Sequence, residues 1–140
     1  MVYGEGADPR TGTLKTGTTV SGPGLLITND STNNTLDLTA ANEIAIGVTA
    51  GDSTRDVDGT LQTAAGATVS FYPLGGVLMV QSEASQTYTT GLLVYAQASG
   101  LVGTTSSSRK LLGVYVGTGE VTSSSAGDMI PVMTAGAATA

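Results

Sequence analysis

An all-β fold, a small β-sandwich or β-barrel, is predicted by three features of the chain. Apolar residues recur at every second position in several short runs, most clearly in Thr68-Val69-Ser70-Phe71-Tyr72 and Met129-Ile130-Pro131-Val132-Met133, the period of a half-buried strand. Gly, Asn, Asp and Ser clusters punctuate those runs, and no stretch holds a helical period for more than a turn or two. The chain also spells one series of marks twice. Gly24-Leu25-Leu26-Ile27 leads to Ile46-Gly47-Val48 and Ala65-Gly66, and Gly91-Leu92-Leu93-Val94 leads to Leu112-Gly113-Val114 and Ala126-Gly127. This reads as a duplicated β unit, with repeats over 24–72 and 91–133, neither of which could bury its own apolar face alone. The expected organisation is an extended N-terminal arm over 1–22, a β domain over 23–133 and a flexible tail over 134–140.

Each element follows from local chemistry. Residues 1–22 are rich in Gly and Thr, contain Asp8-Pro9-Arg10 and show no sustained period. An arm of this kind is ordered only where it lies on something, and Tyr3 is its one large anchor. A strand is expected over 25–28, and the polar cluster 29–34 then favours a turn through its Asn and Asp side chains. Leu36 and Leu38 resume the alternation, 40–43 makes a helical turn at most, and 43–49 is a strand. The polar stretch 51–59 is an exposed loop. The strand 69–72 ends where Pro73 limits pairing, and Gly75-Gly76 turns the chain into 77–80, an expected hairpin. A polar connection over 81–90 precedes strands at 92–95 and 101–102, which flank a turn at Ser99-Gly100. The loop 104–110 ends in Arg109-Lys110, 111–116 is a strand, 117–127 is a Ser/Thr/Gly loop, and the last strand closes at Met133.

A chain of 140 residues with 40% hydrophobic content is one folded domain's worth. Only 4% of residues are aromatic, with no Trp and one Phe, so the core is thin and aliphatic, and burial against other subunits is the expected remedy. A formal charge of −6 with five Lys and Arg is the wrong sign for neutralising nucleic-acid phosphates. No apolar run approaches a membrane span, and no basic segment followed by an apolar one opens the chain. The absence of Cys removes disulfides and makes stability indifferent to redox compartment.

Most enzyme chemistry falls with the composition. No His and no Cys means no imidazole base, no thiol nucleophile and none of the common soft metal ligands. No Ser sits in a Gly-x-Ser-x-Gly elbow, and no spacing singles out a pair of carboxylates. Asp52, Asp56 and Asp58 with Gly59 form the best cluster of hard ligands. Arg55 offsets their charge and no bidentate Glu closes the set, so a solvated turn is the expectation. No catalytic residue, metal or cofactor is expected.

The segment Leu112-Gly113-Val114 followed by Ala126-Gly127-Asp128-Met129-Ile130-Pro131-Val132 resembles the small capsid decoration, or cement, proteins of tailed bacteriophages. Upstream, Thr90-Gly91-Leu92-Leu93-Val94-Tyr95 is similar to a Thr-x-Gly-x-x-Val-Tyr segment of that family, and 77–80 falls where the family has a strand. The resemblance spans roughly 24–133. It implies a β-rich homotrimer on the outer surface of a virion, where it clamps neighbouring major capsid subunits against the pressure of the packaged genome, with neither nucleic acid nor membrane as partner. On that reading the arm around Tyr3 and Arg10 lies over a capsid subunit or a neighbouring protomer, and Arg55, Arg109 and Lys110 meet acidic groups. The nearest alternative is a structural or host-binding module of a tail, fibre or baseplate.

Overall fold

A computed structural model describes residues 9–30, 34–55, 57–61 and 67–134. Among them are twelve strands: β1 (Arg10–Thr13), β2 (Leu26–Asp30), β3 (Thr35–Leu38), β4 (Gly47–Thr49), β5 (Thr68–Pro73), β6 (Gly76–Ser82), β7 (Thr87–Tyr88), β8 (Leu93–Ala96), β9 (Val102–Gly103), β10 (Leu111–Tyr115), β11 (Val121–Thr122) and β12 (Asp128–Thr134). One 3-10 turn, Ala98–Gly100, joins β8 to β9. The first five strands form a sheet in the order β1-β5-β4-β2-β3. Five of the later strands form a closed barrel in the cyclic order β6-β12-β10-β8-β9.

These two orders are the same. In each half the first strand pairs with the last, the last with the fourth of the series, that strand with the second, and the second with the third, all antiparallel. In each half a parallel link then returns from the third strand to the first: Ser82 to Val102 in the second unit, and an isolated bridge from Leu14 to Leu36 in the first. The registers agree at the glycine of the fourth strand. Gly47 lies opposite Ile27 and Pro73, and Gly113 opposite Val94 and Thr134. Even bonds outside the ladders repeat. The amide of Gly24 donates to the Thr49 carbonyl and that of Gly91 to the Tyr115 carbonyl, each at 2.9 Å. Gly24 and Gly91 both hold positive φ, 90° and 92°, a conformation that glycine adopts without steric cost. The fold is two barrel-like units over 10–73 and 76–134.

Alternation decides what each unit encloses. The first unit surrounds Leu14, Val20, Leu25, Ile27, Leu36, Ala67 and Val69. The second surrounds a larger cluster that includes Leu78, Val80, Tyr88, Val94, Leu112, Tyr115, Ile130 and Val132. Leu26, Ala45 and Val48 of the first unit join the second cluster, so the two units share one apolar boundary. Each fully buried Leu, Ile or Val side chain there contributes about 1.5–3 kcal/mol.

Four sequence expectations are corrected. Residues 10–22 are not a free arm but belong to the domain: β1 pairs with β5 from Arg10 to Thr13, a turn follows at Thr16-Gly17, and Leu14 and Val20 are core residues. β5 and β6 do not make a hairpin. Both edges of β5 are occupied, by β1 and β4, so Gly75-Gly76 carries the chain across to the second unit. Thr134 is the last residue of β12 rather than the start of a tail, and its hydroxyl donates to the Gly76 carbonyl and accepts from the Gly75 amide, both at 2.9 Å. The polar stretches 81–90 and 117–127 contain β7 and β11, paired antiparallel. Residues 135–140 of the expected tail and the repeated mark Ala65-Gly66 lie outside the described residues.

Candidate interaction surfaces

Of the five residues singled out for contact, the four that are described share no hydrogen bond or ion pair with one another. Tyr3 lies outside the described residues. Arg10 opens β1, exposed and opposite Phe71. Arg55 is bound within its own loop: its Nε donates to Asp52 at 2.7 Å and its Nη1 to the Gly59 carbonyl at 2.6 Å. Arg109 is half-buried and anchored, its Nε donating to Oε1 of buried Gln97 at 2.7 Å. The side-chain Nε2 of Gln97 in turn donates to the Thr105 carbonyl at 3.0 Å, so this pair ties the 104–110 loop to the barrel. Lys110 is half-buried at the same loop's end. Among the described residues neither Arg10 nor Lys110 has an ion pair. A carboxylate on a partner would meet these two without displacing an existing bond, whereas Arg55 and Arg109 would have to give one up.

The carboxylate cluster is likewise spoken for where it is described. Asp52 holds Arg55, and Asp58 Oδ1 accepts from the Thr60 amide at 3.0 Å, an Asx turn. Asp56 lies outside the described residues. Lys15 sits where β1 meets the β2–β3 pair, with its Nζ 3.3 Å from Asp30 and 3.8 Å from Asp37. That pairing is exposed on the lysine side, where ion pairs contribute little to stability.

The densest polar arrangement lies inside the second unit. Ser82 Oγ and Tyr88 OH are 2.6 Å apart, Ser82 Oγ donates to the Glu83 carbonyl at 2.8 Å, and Ser123 Oγ donates to the same carbonyl at 2.6 Å while accepting from the Gln86 amide at 2.9 Å. Burial pushes the Tyr88 phenol above its ordinary pKa; the Ser82 hydrogen bond opposes that shift and the nearby Glu83 charge adds to it. Ser82 and Tyr88 have no exposed surface, so a substrate has no access to either hydroxyl. These hydroxyls satisfy buried backbone rather than attack a substrate.

Between the units runs a cleft of about 500 Å³ lined by Pro23, Gly24, Val48, Tyr72, Met79 and Met129, among others. Its lining carries no ionisable side chain other than the Tyr72 phenol, so it is suited to holding an apolar group and not to acid–base work. Sequence reasoning missed it because Met79 and Met129 stood only as members of two separate expected strands. The pairing of β6 with β12, which places Gln81 opposite Met129, brings them to the cleft. The sequence matches no protein-family model, and a comparison with curated proteins finds no match.

Proposed function

We propose that the chain is a structural virion protein that binds the outside of an expanded phage capsid as a homotrimer and clamps neighbouring major capsid subunits against internal genome pressure. The observation that carries this reading is the convergence, in one barrel, of the segments that resemble decoration proteins. Val94 lies opposite Gly113 and Gly113 opposite Thr134, and the Ala126-Gly127-Asp128 turn feeds the strand between β6 and β10. Asp128 fixes that turn by accepting from the amides of Ser124 and Ser125 at 2.9 and 3.2 Å. The side chains with catalytic potential support the reading as well, because the buried hydroxyls and the loop cations Arg55 and Arg109 are engaged in holding the scaffold together.

The mechanism is physical. A rigid trimer that touches several capsid subunits makes each further contact intramolecular, raising overall avidity over a single contact by a factor on the order of 10²–10⁴. Arg10 and Lys110 are the basic groups available for acidic capsid surface, and the apolar cleft can seat a capsid side chain. The test is co-sedimentation of the purified protein with emptied, expanded phage heads and with unexpanded ones. Saturable binding to the expanded shells, with a raised temperature of shell disruption, is the expected result. Failure to bind every shell offered, together with binding to tail structures or to host cells, would replace this reading with the tail, fibre or baseplate one.

A further inference from the structure

A seam between the two units runs where Pro23 and Gly24 of the first lie against the end of β6 and the start of β12. The Gln81 amide donates to the Gly24 carbonyl at 2.8 Å, and its side-chain Nε2 donates to the Pro23 carbonyl at 2.7 Å. Met129, opposite Gln81 in the ladder, closes over the same glycine. A Cβ on Gly24 would stand 2.7 Å from the Met129 methyl carbon and 2.8 Å from its sulfur, so the thioether packs directly on the first unit's backbone. Gly24 and Met129 both line the cleft between the units.

Met129 is nevertheless 39% exposed, so a small solute reaches a side chain that also holds the seam. We propose that Met129 is an oxidation-sensitive latch between the two units, whose thioether a peroxide converts to the sulfoxide, loosening the seam. The sulfur lone pair attacks one oxygen of hydrogen peroxide, and the S–O bond forms as the O–O bond breaks. The proton on the transferred oxygen passes to the departing hydroxide, which leaves as water. Sulfur is oxidised and the peroxide reduced, with neither a metal nor a protein base required.

The consequence follows from what the sulfur touches. A thioether is an apolar filler, whereas a sulfoxide carries a polar oxygen that must find a donor or remain unpaired against Gly24. The donor on the residue opposite is Gln81 Nε2, which already serves the Pro23 carbonyl. Capturing it removes a bond across the seam, and leaving it in place strands a polar oxygen within the seam. Met133 supplies an internal control. It is 46% exposed and lies further along β12, opposite Val77 and Val114 on the outer face of the barrel, where its sulfoxide would stand in water. The lack of Cys removes thiol chemistry from this chain but leaves a thioether at the joint between its units. This inference uses neither the capsid nor the homotrimer part of the proposed function.

The test treats the full chain with hydrogen peroxide for increasing times, follows each methionine by peptide mass mapping, and measures amide hydrogen exchange on the same samples. The Gln81 amide bridges the seam, and the Tyr115 amide, bonded to the Leu92 carbonyl within the second unit, is the reference. Exchange at Gln81 is expected to rise about tenfold as Met129 converts, with Tyr115 unchanged and conversion of Met133 adding nothing. Met129→Leu should keep Gln81 protected through the treatment, Met133→Leu should respond as wild type does, and a methionine sulfoxide reductase should restore protection. The wild-type time course answers the question even if Met129→Leu fails to fold. Met129 that stays reduced while Met133 converts, or full conversion of Met129 without faster exchange at Gln81, would overturn the proposal. So would a change in exchange that follows the oxidation of Met79 or Met133 instead.

Discussion

Ser53 and Ser123 make the same pair of bonds in the two units. Ser53 Oγ accepts from the Val20 amide at 2.8 Å while its own amide donates to the Val20 carbonyl at 2.8 Å. Ser123 does the same with Gln86, at 2.9 and 2.8 Å. Each serine staples the segment that follows the first strand of its unit to a loop beyond the fourth, and each is almost wholly buried. Substituting Ser53 by Ala leaves the buried Val20 amide without a partner, and substituting Ser123 leaves the half-buried Gln86 amide so, at a cost of about 1–3 kcal/mol. Ser123→Ala should cost more, because it also strips the Glu83 carbonyl of one donor. Urea unfolding checks this: the midpoint should fall with the slope unchanged.

Gly47 and Gly113 are required by close approach. A Cβ on Gly47 would stand 2.6 Å from Phe71 Cδ2 and 2.7 Å from the Tyr72 carbonyl oxygen, and one on Gly113 would run into the Met133 carbonyl. Gly47→Ala is expected to destabilise by about 1–3 kcal/mol, and Gly113→Ala by more, since all three atoms nearest its Cβ are backbone and the overlap with the Met133 carbonyl is closer. Gly51 has nothing within 4 Å, so Gly51→Ala should stay within about 0.5 kcal/mol of wild type. Thermal unfolding of the three variants gives the ranking.

Tyr88 predicts an alkaline weakness. Its folded-state pKa lies above the ordinary value near 10.0 because burial disfavours the phenolate. Between the unfolded and folded values the unfolded chain gives up a proton that the folded one keeps, so stability falls as pH rises through that window. Below the unfolded value the contribution is fully present. Tyr88→Phe should flatten this alkaline loss, at a neutral-pH cost of about 1 kcal/mol for the lost bond to Ser82. Tyrosinate absorbance followed against pH, beside the unfolding curve, tests it.

Arg109 and Lys110 adjoin in sequence but should behave differently. Arg109→Ala removes the donor from Oε1 of buried Gln97 and is expected to destabilise by about 1–3 kcal/mol. Arg10→Ala and Lys110→Ala should leave stability within about 0.5 kcal/mol, so any loss of shell binding they cause reports contact rather than unfolding. Equal stability of all three variants would refute the anchoring role of Arg109.

The strands that carry alternation were legible because interior and exterior alternate at the same period as the chain. Thr68–Pro73 and Asp128–Thr134 are the plainest cases. The repeated Gly-Val mark was legible because two backbones approach so closely at Gly47 and Gly113 that no side chain fits. β1, β7 and β11 were not, since Arg-Thr-Gly-Thr, Thr-Tyr and Val-Thr are too short and too polar to signal a strand, and their pairing comes from distant partners. Closure was hidden for the same reason: it depends on parallel links from Leu14 to Leu36 and from Ser82 to Val102 that leave no local pattern. The anchoring of Arg109 was hidden because Gln97 reads as a surface residue.

In each unit the strand that arrives last in the chain is inserted between strands made earlier: β5 between β1 and β4, β12 between β6 and β10. During synthesis neither barrel can therefore zip up progressively. β6 and β10 must wait with their hydrogen-bonding edges bare until β12 leaves the ribosome, which makes folding slow and gives nascent chains a window for mispairing with one another. Until β12 is in place the second unit is a half-built cylinder with two bare seams, the form of this protein most exposed to mispairing.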